Sequence, residues 1–364
     1  MAIFLSLIFF FFPMMVLEIT TKKNAIKNTF IYFFVFLYYI FFTGLRWKTG
    51  TDWLSYENAF DVLSRYSSQD LGATFEPGYS IFMGVFSKTV YDFSAFLIFQ
   101  SMLIAFFIYK TAKISKAPPV SFLFCLLITQ SQFFYPVRQQ LAISIVMYAL
   151  SCSMFIKSES FKKTTFLMFI ASSIHLSSVV AFFSIILESA RSRLIYGFVV
   201  LSLMILMYFL FEQFYLEFFE SRFFSYFVKN DYSFDSSRNV FRILERILAV
   251  MLLSFIYFNK VLNCYSIKNQ KDLRNLILFG FAISISTIYA FPYFARFAPY
   301  FSWAEALVLS ISLSNLNKLS KKIQLIILLL LIIYFIKLIF SILSYWDLLN
   351  PYYFRFESFD RGLY

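Results

Sequence analysis

Six ionisable residues stand in or beside long apolar stretches of this chain. Arg46 and Asp52 lie in "RWKTGTDWLSY" (46–56), Glu76 in "FEPGY", Arg138 in "YPVRQQLA" and Arg296 in "PYFARFAPYF". The sixth, His175 in "SSIHLSS", is the single histidine of the chain. A charged group next to hydrocarbon is costly to keep, so each is a candidate for function. Guanidinium binds phosphate through paired hydrogen bonds and keeps its charge at any working pH. A carboxylate or imidazole beside it can take a proton from a hydroxyl. Arginines would also stabilise charge building on a departing pyrophosphate. These residue types describe a site where a hydroxyl attacks and a pyrophosphate leaves. Trp47, Trp53, Tyr56, Tyr79, Tyr135 and Tyr293 either stack on sugar rings there or sit at the lipid interface, as Trp and Tyr commonly do.

Each residue also has a structural alternative. Arg46 and Lys48 can anchor the interface beside Trp47 and Trp53. Asp52 can cap a helix starting at Trp53. Glu76 precedes Pro77, a good first helical residue, and can simply add charge at that helix's positive end. His175 can be a polar residue in helix packing. Arg138, followed by Gln139 and Gln140, and Arg296, between Pro292 and Pro299, call for an anionic partner: a ligand, or only Asp52, Glu76 or Glu305. "SRNVFRILERI" puts Arg238, Arg242, Glu245 and Arg246 on one helix face, read as partly solvated. Lys337, inside the last apolar run, is expected to snorkel outward.

The elements that position these residues are membrane spans. The chain has 364 residues, 60% of them hydrophobic, with mean hydropathy +0.72. Several runs approach or exceed the roughly 20 residues that cross a bilayer core. Their continuity excludes a β-barrel, whose strands alternate. The sequence predicts one all-α membrane domain with about 12 spans: 2–17, 29–44, 93–109, 118–135, 138–156, 164–175, 177–190, 194–211, 239–258, 275–291, 296–314 and 323–344. The run 79–91 is too short to cross and is either re-entrant or interfacial. The N-terminal run lacks a basic leader and a cleavage site, and reads as a retained first span. Cys125, Cys152 and Cys264 are scattered, with neither disulfide nor metal spacing.

Basic residues crowd one set of connections, 18–28, 110–116, 157–163, 191–193, 260–274 and 318–322, where Glu18, Glu159 and Asp272 are the only acids. Acidic residues outnumber basic ones in 45–78, 213–238 and 345–364. The first set should be cytoplasmic. The net charge of +12 is thus read as topology, not nucleic-acid binding. The outer face receives a loop at 45–92 with the possible re-entrant helix, a loop at 212–238, a tail at 345–364, and all six candidate residues. Residues 164–190 form either one long span or a hairpin. Only the hairpin keeps Arg191 and Arg193 inside.

In this order, "RWKTGTDWLSY", "FEPGYSIF", "RQQLA", "SSIHLSS" and "YFARFAPYF" resemble the EpsG family of exopolysaccharide proteins, grouped with Wzy-type O-antigen and capsule polymerases. The resemblance covers roughly residues 40–305. Arg46, Gly50, Thr51, Asp52, Tyr56, Glu76, Pro77, Gly78, Arg138, Gln139 and His175 match its recurring pattern, and Arg296 matches a looser arginine-with-aromatics feature. It implies a GT-C-like membrane glycosyltransferase that joins oligosaccharide repeat units carried on undecaprenyl pyrophosphate, at the outer face of the bacterial cytoplasmic membrane.

On that basis Asp52, Glu76 and His175 are the candidate catalytic residues. Arg46, Arg138, Gln139, Arg296, Tyr56 and Trp53 are the candidate substrate-binding residues. No cofactor is called for, although Mg2+ between Asp52 and pyrophosphate stays open. Expected partners are the lipid-linked oligosaccharide, membrane lipid, a chain-length regulator and a flippase. A flippase for the same lipids and an O-antigen ligase-like transferase are the competing readings. Against a flippase, the basic residues cluster outside rather than run through the bundle, and no repeated halves are seen.

Overall fold

A computed structural model describes residues 2–21, 25–47, 53–65, 75–134, 138–156, 161–184, 236–258, 261–262, 265–289, 296–344 and 353–354. They form twelve α-helices: α1 (Ala2–Thr20), α2 (Ala25–Gly44), α3 (Trp53–Arg65), α4 (Pro77–Val90), α5 (Phe93–Ile114), α6 (Pro119–Thr129), α7 (Arg138–Phe155), α8 (Phe161–Ile174), α9 (Ser236–Phe258), α10 (Ile267–Tyr289), α11 (Pro299–Ser314) and α12 (Lys321–Ser344). The two-residue strands β1 (Arg46–Trp47) and β2 (Tyr353–Phe354) pair antiparallel and bring residues 353–354 beside the exit of α2.

Three of these helices, α2, α5 and α12, are long and apolar enough to cross a membrane by themselves. At the centre, every residue of α6 is buried, as is all of α11 from Tyr300 to Leu313. A helix apolar on all sides has to be enclosed by others. Here α6 packs against α11, α1, α5, α12 and α2, and α7 packs against α5 and α8. The outer helices turn large apolar side chains away from the protein, among them Phe30, Phe33, Phe106, Phe166, Phe169, Met251, Leu328 and Ile332. Such a continuous exposed apolar surface fits lipid, not water.

The span expected at 118–135 is a shorter α-helix followed by a 3-10 turn, Ser131–Phe134. At 11 residues, α6 covers roughly 16 Å at 1.5 Å per residue, about half of a ~30 Å core. A broken helix at that depth is tolerated when protein surrounds it. Its first turn is capped by Glu18 at the end of α1, which accepts from the Val120 N–H (3.1 Å), the Ser121 N–H (2.8 Å) and the Ser121 hydroxyl (2.8 Å). Its last carbonyl, on Thr129, accepts from Lys337 Nζ at 3.4 Å. Gln130 then ties the break to α11, donating to Pro299 O (3.3 Å) and Ser302 Oγ (3.0 Å).

Two expectations are corrected here. Lys337 does not snorkel; it also pairs with Glu245 at 3.3 Å. Glu245 and Arg246 do not lie on a solvated face; Glu245 is buried, and Arg246 Nη1 reaches both oxygens of buried Glu305 at 3.2 and 3.3 Å. Tyr334 OH donates to Glu305 at 2.6 Å, and Arg246 Nε meets Glu245 at 3.4 Å. Two cations and two anions thus balance inside the bundle. The physical reason is that a charge buried without a partner costs far more than a paired one. The side chains of Arg238 and Arg242 lie outside those described.

Helix α8 ends at Ile174, where extended His175 (φ −151°, ψ 115°) breaks it. A 3-10 turn follows over Leu176–Ala181, and Ser178 Oγ bonds back to Ser172 Oγ at 3.2 Å. The expected arm beyond residue 184, the span at 194–211 and most of the 212–238 loop lie outside the described residues.

Candidate functional site

The site begins with "FEPGY". Pro77 starts α4, and Glu76 before it is extended (φ −60°, ψ 145°), the conformation a following proline favours. The Glu76 carboxylate does not cap its own helix. It reaches across to two other elements instead. Oε2 pairs with Nη1 of Arg138, the first residue of α7. Oε1 meets His175 Nδ1 at 2.8 Å and accepts from the Leu176 N–H at 3.1 Å, both just past the end of α8. Gly78 makes this docking possible. A Cβ there would stand 2.3 Å from Ser173 Oγ and 2.8 Å from its backbone carbonyl carbon.

Partial burial pushes the Glu76 pKa up, but the His175 hydrogen bond and the Arg138 charge pull harder and hold it at about 2. An ionised carboxylate can only accept hydrogen bonds, so the proton between it and His175 belongs to Nδ1. In neutral His175, Nε2 is then the basic nitrogen.

Arg138 lies over the faces of Phe75 (4.9 Å) and Tyr56 (6.0 Å). Tyr56 and Phe75 stack at 4.9 Å, with Tyr79 edge-on to both. Tyr79 OH donates to Gln100 at 2.8 Å. The next residue, Gln139, donates to the Arg296 carbonyl at 2.8 Å and so brings exposed Arg296 beside the start of α7. Ser177 and Tyr300 share a hydrogen bond of 3.0 Å that holds the turn after His175 to α11.

Glu76, Arg138, Gln139, His175, Tyr56 and the Arg296 backbone therefore meet at one end of the bundle. Arg46 lies inside, 3% exposed. Trp53 is buried edge-on to Phe93 at 5.5 Å, as a packing residue of α3. Asp52 lies outside the described residues, as do Lys48, Tyr135, Tyr293 and the Trp47 side chain. Among the described residues, no group of three or more His, Cys, Asp or Glu could hold a metal ion. Phe75, Ser177 and Tyr300 were not singled out from the sequence. All three sit inside the quoted motifs, but Phe, Ser and Tyr beside a membrane carry no distinguishing signal.

No curated protein and no solved structure matches the chain. The model of the EpsG family matches residues 29–354, which includes every candidate residue. A match over that much of the sequence places the chain in the family: it is an integral membrane protein of the EpsG family, a Wzy-type polymerase family.

Proposed function

We propose that this protein polymerises oligosaccharide repeat units carried on undecaprenyl pyrophosphate, at the outer face of the bacterial cytoplasmic membrane, in a GT-C-like bundle of about 12 spans. The observation that supports this best is the union of Glu76, Arg138 and His175, from three separate helix ends, beside Gln139 and Arg296. An acceptor sugar hydroxyl attacks the anomeric carbon of the donor chain. A new C–O bond forms, the C–O bond to pyrophosphate breaks, and the hydroxyl proton passes to His175 Nε2. Undecaprenyl pyrophosphate leaves with the electron pair. Arg138 and Arg296 stabilise the charge that gathers on it. Glu76 orients the imidazole through the hydrogen bond at Nδ1. Its low pKa makes Glu76 a poor proton acceptor itself. Arg46 adds positive charge from beneath. A flippase supplies the substrate, and a chain-length regulator acts on the product.

The flippase reading gains one observation: Arg246 and Lys337 put positive charge inside the bundle. Glu245 and Glu305 neutralise them, which disfavours a pyrophosphate path there. Gene deletion separates the readings. Loss of a polymerase leaves glycans capped with one repeat unit, loss of a flippase leaves none at the surface, and long polymer retained on its carrier indicates a ligase-like transferase.

A further inference from the structure

His175 is held by a weak element. The turn after it, Leu176–Ala181, is a 3-10 helix, whose hydrogen bonds have poorer geometry than those of an α-helix. Leu176 and Val179 on this turn are exposed. The Ser178 N–H donates to the His175 carbonyl at 3.0 Å, and Ser178 Oγ reaches Ser172 Oγ at 3.2 Å. Both bonds shape the turn against the end of α8.

The bond from Ser177 Oγ to Tyr300 OH, at 3.0 Å, reaches a different element. Tyr300 is fully buried in the first turn of α11, and that turn is pinned. Gln130, at the break of α6, donates to Pro299 O and Ser302 Oγ on either side of it. The Trp303 indole N–H donates to the Tyr300 carbonyl at 3.0 Å. A Cβ on Gly280 of α10 would stand 3.1 Å from the Phe301 side chain, so α10 closes on α11 with little slack. A group held on a packed helix fixes position better than one held on a loop.

Four residues before Tyr300 stands Arg296, whose carbonyl accepts from Gln139 of α7. The segment 296–300 is therefore tied at one end to α7, beside Arg138, and at the other to the turn that follows His175. A proton acceptor and an arginine come from separate elements, and this segment joins them.

We propose that Tyr300 is a positioning residue for the transfer step: through Ser177, its hydroxyl sets the spacing between His175 Nε2 and the arginines that meet the leaving pyrophosphate. The catalytic part rests on the polymerase reading. Tyr300 acts through Ser177 and not on a reactant. Its loss should leave substrate binding by the arginines intact and let the base drift, which lowers kcat and spares KM.

The test is a double-mutant set in full-length protein in lipid nanodiscs. Tyr300→Phe or Ser177→Ala leaves the other hydroxyl without this partner and should lower both melting temperature and rate. Ser177→Ala combined with Tyr300→Phe removes both hydroxyls, so melting temperature should largely return. Its kcat should stay about tenfold below wild type, with KM unchanged. Tyr265→Phe deletes a tyrosine hydrogen bond to the Ser115 carbonyl at another helix end and should leave kcat unchanged. Rate and melting temperature that recover together in the double variant would make the contact a stabilising one only and overturn the proposal, even if the protein polymerises. A second readout needs no polymer. His175 is the single histidine, so isotope-labelled histidine gives the magnetic resonance signal of one imidazole. Its Nδ1 proton, held by Glu76, should exchange with solvent faster in the double variant than in wild type or Tyr265→Phe. If the wild type makes no polymer, the polymerase reading falls and this exchange decides alone: equal protection in wild type and double variant overturns the role of Tyr300.

Discussion

Burial and two neighbouring groups decide the state of Glu76. Its partial burial favours the neutral acid, while His175 and Arg138 favour the anion and prevail, so the carboxylate stays charged throughout the physiological range. Its work is to orient His175 rather than to exchange protons itself. His175→Ala should therefore cut the polymerisation rate by about 10²–10⁴, the usual worth of a positioned base. Glu76→Gln, which keeps an acceptor oxygen but loses the charge, should cost less; initial rates of polymer synthesis on purified variants would show the order. The low pKa also has a stability consequence. A carboxylate depressed from 4.5 to about 2 stabilises the fold above its unfolded pKa, and that contribution is lost as pH falls from 4.5 toward 2. The melting-temperature gap between wild type and Glu76→Gln should shrink from pH 5 to pH 3; a constant gap would deny the charged contact. Sequence alone reveals Glu76, Arg138 and His175 as candidates because charge beside hydrocarbon is costly. It does not pair them, since separations of 62 and 99 residues hold no geometric information. Arg46 and Trp53 look like rim residues in sequence; Trp53 is buried against Phe93, and Arg46 pairs with Phe354 in a tail strand that no local pattern announces.

At the scale of elements, Gly78 lets α4 dock on α8 and bring Glu76 to His175. Gly78→Ala should drive the helices apart, at about 1–3 kcal/mol for an overpacked contact, with loss of polymer synthesis. Adding Ser173→Gly removes the hydroxyl and Cβ clashes but leaves the backbone carbon at 2.8 Å, so rescue should be partial; full rescue would place the conflict in the side chain alone. The balanced charges of α9, α11 and α12 make a second prediction. Glu305→Ala leaves two buried cations, Arg246 and Lys337, sharing Glu245, and should cost about 3–5 kcal/mol. Arg246→Met combined with Glu305→Leu should cost less, and thermal unfolding in detergent would rank the variants. Lys337→Met should fall below Glu305→Ala, because Glu245 keeps Arg246 as a partner. The long apolar runs of α2, α5 and α12 were legible from hydropathy, whereas α3 falls in the loop expected at 45–92 and carries polar residues along its length. The early end of α6 and the inward turn of Lys337 were not, because both are settled by partners on other helices: Gln130 binds α11, and Lys337 binds Glu245 and Thr129.

Across the whole molecule, helix ends carrying "FEPGY", "RQQLA", "SSIHLSS" and "YFARFAPYF" converge, while the Glu18 cap of α6 and the Tyr265–Ser115 contact lie at other helix ends. The most direct measurement is chain extension in proteoliposomes holding the purified protein and single repeat units on undecaprenyl pyrophosphate, with products resolved by length. Wild-type protein and lipid-facing Leu328→Ala should give a ladder of polymers, and folded, inserted Arg138→Ala and His175→Ala should give only the starting unit. A ladder from both variants that matches wild type in length and rate would contradict the account.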